Sequence, residues 1–430
     1  MTTPQPRPTG TRRALGRKAG WNLVDQAVSS LGSAVAAFLI ARAVTAEEFG
    51  VFGICFAILT FLVGVHRALG SQAYAIRYPL AQGQADPRLA GLCLGVAVST
   101  ALAATPFIAG LAFLLGPWTQ VLAVLIFGCG QPFLLMQDAV RSTLLAQGRP
   151  RDAALNDTVT TCVQIAGAAT GAALGANIDG MVALWACGAV VGSGLGWVQL
   201  HTFPRLRGLR AWLQDVGHVS WPLLGEWVVL AGAAQMVFLG IGALAGVAAL
   251  GSIRAAQTLL GPLGAFGLAI TAFALPHLSA QHLGARQVRM YGWALSLVLL
   301  GVDLGWGLVL ILLPDSIGME LLGASWVGSQ VVLVPLLLQQ MAIALGGGPI
   351  IMLATMRQTS RSLRIAILHA SLLSALGLLG AFLYGAREAT FGLALASTLV
   401  VPFAFHQLRT GIRRRTPEAA PPTPKVDDIA

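Results

Sequence analysis

Acids, amides and arginines set into long apolar stretches are the residues of this chain that could do chemistry. Asn22, Asp25, Gln26, Ser29 and Ser33 recur at steps of three and four, a spacing that lines them up on one face of a helix. Asp157, Thr161, Gln164 and Gly171 draw a similar stripe farther on, with Thr160 beside it. Glu226 and Asp303 are single carboxylates inside apolar sequence, and Arg42, Arg67 and Arg254 are single cations there. A charge in the middle of a bilayer costs about 3 kcal/mol on insertion scales, so such residues face a bundle interior or a wet cavity. For the polar stripes this means a cavity wall or hydrogen bonds that hold helices together. For the arginines it means snorkelling to lipid headgroups or a phosphate held in the cavity by the guanidinium fork. Asp303 survives by taking a proton or by pairing with an arginine, and a site for a coupling proton or sodium ion is the functional form of that choice. Asp138 and Arg141, three residues apart, are spaced to pair on one helix face. With His66, Arg67 and Arg77 they share a similar depth.

These residues need helices to position them, and the hydropathy supplies twelve. A hydrocarbon core about 30 Å thick takes roughly 20 helical residues. Apolar stretches of that length run near 21–44, 50–69, 89–115, 118–140, 155–175, 180–200, 218–244, 251–276, 291–313, 326–350, 363–384 and 390–408. Of the 27 basic residues, all but Arg42, Arg67, Arg254 and Arg387 fall in the two tails or in the even-numbered gaps between spans. The odd gaps hold Glu47, Glu48, Asp179, Asp315, Glu320 and Glu388. By the positive-inside rule both tails and the even gaps are cytoplasmic. The net charge of +10 is therefore a topology signal, and no nucleic-acid partner is expected from it. On this layout Glu226 sits a turn or two into the seventh span, where Asp25 sits in the first. The two acids are placed to salt-bridge to cytoplasmic arginines and close an inner gate.

Charged residues make up 10% of the chain and hydrophobic ones 56%, more than a soluble protein of this length hides from water. No small-residue cleavage site follows the first span, so it reads as a retained helix. Cys55, Cys93, Cys129, Cys162 and Cys187 fall inside spans without metal-ligand spacing, and read as buried free thiols. Gly346-Gly347-Gly348-Pro349 lacks the Lys and Ser/Thr of a nucleotide loop and reads as a kink or local unwinding. No cofactor is expected beyond a coupling proton or sodium ion. The gaps are too short for an extramembrane domain, and no acid/base constellation gathers on one face, so an enzyme is not expected. The glycine steps 167-171-175 and 188-192-196 are close-packing patterns.

The chain also repeats. Phe49-Gly50-Val51-Phe52 matches Leu250-Gly251-Ser252-Ile253, and Pro132-Phe133-Leu134-Leu135-Met136-Gln137 matches Pro335-Leu336-Leu337-Leu338-Gln339-Gln340. The expected architecture is an all-α polytopic membrane protein: a basic tail over 1–20, a six-helix lobe over 21–210, a second over 211–408, and a basic, then disordered, tail over 409–430. Six spans is an even number, so the lobes are parallel repeats with a cavity between them. Glu47-Glu48-Phe49-Gly50-Val51-Phe52, Ala75-Ile76-Arg77-Tyr78 and the stretch from Gln137 to Arg149 resemble the polysaccharide flippases of the Wzx type. These share a superfamily with the MATE drug exporters and the MurJ lipid II flippases. The resemblance implies a cell-membrane transporter that moves a polyprenyl-pyrophosphate-linked oligosaccharide to the outer leaflet by alternating access. Lipids and polysaccharide-assembly enzymes would be its partners. Arg67 and Arg141, with Arg77, would then receive the pyrophosphate on the inner side, and Arg42 and Arg254 would hold it on the outer side. The rivals are a MATE-like, cation-coupled exporter and a membrane saccharide polymerase or ligase, the latter disfavoured by the short outer loops.

Overall fold

In a computed structural model, residues 9–78, 86–114, 118–279, 281 and 283–414 are described, and among them every regular element is helical. In chain order the helices are α1 (Thr9–Ala43), α2 (Ala46–Leu69), α3 (Ser71–Arg77), α4 (Pro87–Leu114), α5 (Trp118–Ala146), α6 (Pro150–Ala173) and α7 (Ile178–Leu200). There follow α8 (Leu209–Trp227), a π-helical turn (Val228–Gly232), α9 (Ala233–Ala245), α10 (Val247–Ser279) and α11 (Ala285–Ile311). The last are α12 (Asp315–Leu322), α13 (Ser325–Thr355), α14 (Thr359–Tyr384) and α15 (Ala386–Arg413). A helix lies over each of the twelve expected stretches, the seventh being α8 and α9 joined through the π turn. Helix α1 runs back through most of the expected basic tail, while the tail from Thr416 lies outside the described residues.

Among the described residues, nine helices are long and apolar enough to cross a membrane, and Val28–Ala43 and Ala233–Ala245 are shorter apolar stretches. Helix α6 meets neither standard because Asp152, Asn156, Asp157, Thr160, Thr161 and Gln164 interrupt it. Its polar stripe carries function or packing at the expense of hydropathy. Large apolar side chains such as Leu102, Phe107, Phe273, Leu308 and Phe382 lie exposed on the outside of the bundle, a surface only a bilayer can cover. The chain is a multi-pass membrane protein.

Local chemistry sets the helix ends. At α2 a capping box closes the start: the Glu48 amide donates to Thr45 Oγ1 (3.2 Å) and the Thr45 amide donates to Glu48 (2.9 Å), satisfying two donors that a helix start leaves free. Asn177 caps α7 by accepting from the Gly180 amide. The Gly346–Pro349 run does not unwind, since α13 continues through it. Pro349 has no N–H for the carbonyl of Leu345, four residues back, and Ser296 Oγ of α11 donates to that carbonyl instead, at 2.6 Å. Gly348 lets the two helices come close enough, because a Cβ there would strike the Gly292 carbonyl.

In the first half α1 packs along α6, and α5 packs against α4 and α7; in the second, α13 lies among α10, α11 and α15. The halves meet where α2 and α10 begin. Gly50 lies under the Val247 carbonyl and Gly251 under the Ala46 carbonyl, and a Cβ at either would run into that oxygen. These are the two glycines matched in the sequence repeat, each meeting a carbonyl at the same offset in the other helix. Gly323, after α12, rests on Arg42 of α1 nearby. At the far end the seventh segment divides its allegiance: α8 packs against α2, α3 and α4, whereas α9 packs chiefly against α14 and α10. Trp212 Nε1 donates to the Leu69 carbonyl and Trp227 Nε1 to the Phe61 carbonyl. Tyr78 donates to Asp215, and that bond, with the Arg77 charge, holds the Asp215 carboxyl below its usual range.

Three of the five cysteines depart from expectation. Cys55 and Cys93 are buried, but Cys129, Cys162 and Cys187 are exposed on the bundle's outside. Small and weakly polar, a thiol is as compatible with lipid as with a packed core.

Candidate functional site

A charged network occupies the middle of the first half. Helix α5 presents Gln137, Asp138 and Arg141 over little more than one turn, with α1 and α6 on one side and α2 on the other. Arg141 donates to Asp25 of α1 (2.6 Å) and forms an ion pair with Asp157 of α6 (2.8 Å). Asp138 accepts instead from Arg67 of α2 (2.7 Å), with His66 Nε2 3.0 Å away. The expected pairing of Asp138 with Arg141 does not form, because partners on neighbouring helices reach each of them with better fork geometry than one turn of helix allows. Gln137 donates to Asp157 and Asn156, and Asn156 ties α6 to α7 through the Gly192 carbonyl and Gln199. Asp25, Asp157 and His66 are all but inaccessible, and Arg141 is 12% exposed. Three carboxylates face two guanidinium groups and one imidazole, so the network carries one negative charge when His66 is neutral.

Two cavities adjoin it. One, of about 230 Å³, is lined by Arg67, Asp138, Arg141, Asp157, Thr161 and Gln164 among others. The other, of about 650 Å³, lies between the halves, where Gln26, Ser29 and Ser33 of α1 face Arg254, Gln257 and Thr258 of α10. Ser29, Ser33, Ala37 and Phe56 belong to both, so the α1 stripe is the shared wall. Among the described residues Arg254 is the charged residue that lines the central cavity, and no carboxylate does. Its guanidinium lies 3.7 Å over the Phe56 ring, a cation–π contact, and it makes no ion pair among the described residues.

The other sequence candidates scatter. Asn22 lies on α1 with its side chain outside the described residues. Arg42 is exposed at the end of α1, and Arg77 pairs with Asp215 on the surface; neither lines the two cavities. Glu226 makes no salt bridge among the described residues. It lines a third cavity, in the second half, of about 230 Å³, with Ser362, His369 and Ser397. Asp303 is buried on α11 with Oδ2 unpartnered, and among the described residues no arginine pairs with it. His369, which meets Ser397 Oγ at 2.9 Å, was missed in the sequence, although an ionisable residue inside a span is the signal that would have found it. Gln257 and Thr258 were missed because nothing sets their spacing apart from ordinary polar positions.

No family model matches the chain, and no curated relative does. Solved structures do. An inward-facing multidrug resistance MATE transporter of the MOP superfamily superposes with a TM-score of 0.68 at 13% identity, covering 92% of this chain and 100% of that one. The lipid II flippase MurJ, in an inward closed conformation, gives 0.65 at 12% identity over 92% and 90% of the two chains. A MOP superfamily transporter from Pyrococcus furiosus, described as having a binding pocket of reverse polarity, gives 0.58 at 15% identity over 93% and 95%. The chain has the fold these transporters and the flippase share.

Proposed function

We propose that the chain is a transporter of twelve membrane-crossing helices with both termini cytoplasmic, moving an anionic lipid-linked cargo between leaflets by rocking its halves about the central cavity. The cargo class is a polyprenyl-pyrophosphate-linked oligosaccharide, and the setting is surface polysaccharide assembly at the cell membrane. One observation carries the reading. Among the described residues the central cavity offers a guanidinium without an ion-pair partner, Arg254, and no carboxylate. A phosphate leaving water needs such a donor, and each charge-assisted hydrogen bond contributes about 1.5–3 kcal/mol. A cationic drug would meet a like charge there. Arg67 and Arg141, committed to carboxylates, shape the inner wall, and Asp303 is the position we assign to a coupling proton or sodium ion.

A second reading, a MATE-like exporter of small cations, draws on the surplus negative charge of the Asp25–Asp138–Asp157 network, which opens on the smaller cavity. Position 254 separates the two. With normal protein levels in the membrane, R254A should lower translocation of a pyrophosphate-linked oligosaccharide in proteoliposomes by about tenfold or more, one lost charge-assisted bond being worth that much. R254K should keep a substantial part of the activity. Full translocation by R254A, or improved efflux of a lipophilic cation by the same variant, would transfer the assignment to the exporter.

A further inference from the structure

The halves are joined by the segment between α7 and α8, and it is held down. Its Arg205 amide donates to the Gly91 carbonyl of α4 at 2.8 Å. Gly91 and Gly95 form the bed it lies on: a Cβ at Gly95 would strike the Arg205 carbonyl, and one at Gly91 would press on the Arg205 side chain and the Phe203 carbonyl. Above this bed is a cleft of about 820 Å³ between the start of α4, the linker and the start of α8. Arg88, Arg205 and Arg207 line it and are exposed. Their guanidinium groups make no ion pair or hydrogen bond among the described residues. The two acids of the cleft are already engaged: Asp86 accepts from the Arg88 amide, and Asp215 accepts from Tyr78 and Arg77.

The cleft is amphipathic as well as basic. Leu89, Leu92 and Leu206 line it beside the arginines, and Tyr78 stacks on Trp212 with ring centroids 6.3 Å apart. On the linker, Phe203 and Leu206 are 66% and 52% exposed and alternate with Arg205 and Arg207. Free phosphate has no use for the apolar flank. A lipid bearing a phosphate uses both, its headgroup on the forks and its glycerol and first methylenes on the leucines. Exposed aromatic and aliphatic groups interleaved with arginines are also what a segment lying at the headgroup level presents.

We infer that this cleft is a binding site for an anionic phospholipid of the cytoplasmic leaflet, whose headgroup bridges Arg88 of α4 to Arg205 and Arg207 of the linker. The site is separate from the cargo cavity and does not depend on what that cavity carries. Bound lipid clips the linker to α4, adding to the Arg205–Gly91 bond a contact that the membrane's composition controls.

The test is thermal unfolding of the full chain in detergent, titrated with phosphatidylglycerol or with phosphatidylcholine. Phosphatidylglycerol should raise the midpoint and phosphatidylcholine should not. R88Q/R205Q/R207Q should need about tenfold more phosphatidylglycerol or greater, since each basic residue near an anionic surface contributes on the order of a factor of five. R286Q/R289Q/R364Q, which removes the same charge elsewhere on the cytoplasmic side, should titrate like the unaltered chain. Equal losses in the two triple variants would make the effect one of general surface charge and overturn the site. Stabilisation by inorganic phosphate alone, abolished by the R88Q/R205Q/R207Q change, would overturn the lipid assignment in favour of a free anion. Should that triple variant not fold, phosphatidylglycerol retained by R205Q and by R207Q in native mass spectrometry decides, and unchanged retention in both refutes the proposal.

Discussion

Arg141 sits between two carboxylates in a place with little water, and its removal is a different experiment from the removal of Arg254. Taking one partner from a buried pair costs about 3–5 kcal/mol, because the charge left behind has nothing to answer it. R141M should therefore reduce the amount of folded protein in the membrane, seen as a lower unfolding midpoint in detergent. R141M combined with D25N and D157N, which leaves no orphan charge, should recover most of that midpoint. A normal midpoint for R141M alone would refute the pairing. Sequence spacing identified Asp25 and Asp157 as polar positions inside spans and left Arg141 just beyond the end of one, and it misassigned the partner of Asp138. An interval of three residues describes neighbours on one helix, and it carries no information about which helix stands alongside. Arg42 was grouped with Arg254, and Arg77 with Arg67 and Arg141, by residue type and depth alone, and the lateral packing that separates them is not written in either.

Among the elements, the long helices were legible because each repeats its apolar signal over five or more turns. Helices α3 and α12 and the π turn are shorter than any such repeat, so they left no trace. Unwinding at Gly346–Pro349 was misread for another reason: the hydroxyl that satisfies the Leu345 carbonyl lies on α11, about fifty residues away in sequence. S296A tests that account. It leaves a carbonyl with no donor inside the bundle, which costs about 1–3 kcal/mol, and should lower the unfolding midpoint. S296C, which keeps a weak donor, should fall between. A midpoint unchanged in S296A would mean that the Leu345 carbonyl finds another donor or needs none.

At the scale of the whole molecule, the alternation of basic gaps implies that the α1–α2, α6–α7 and α14–α15 junctions face outward and the α10–α11 junction faces inward. Single cysteines at Ala46, Gly180 and Ala386 in a cysteine-free background should react with an impermeant thiol reagent applied to intact cells, and one at Gly284 should react only after permeabilisation. Labelling at Gly284 in intact cells would reverse the orientation, and with it the leaflet assigned to the Arg88–Arg205–Arg207 cleft. The repeat in the sequence was a faint signal, short apolar stretches of four and six residues matched to one another. Its meaning became visible only when Gly50 and Gly251 were seen on the same crossing.

That crossing has a kinetic side. At the two glycines helix backbone lies on helix backbone, with the Val247 side chain beside Gly50, and the carbonyls involved already accept bonds inside their own helices. Parting the two helices therefore strands no polar group and asks no rotamer to change, so what is lost is dispersion contact, which builds up and falls away smoothly with distance. In the rocking motion proposed above, this seam adds little to the barrier between the two faces of the cycle, and it can close again in the same register each time, because the only feature it has to find is an absent Cβ.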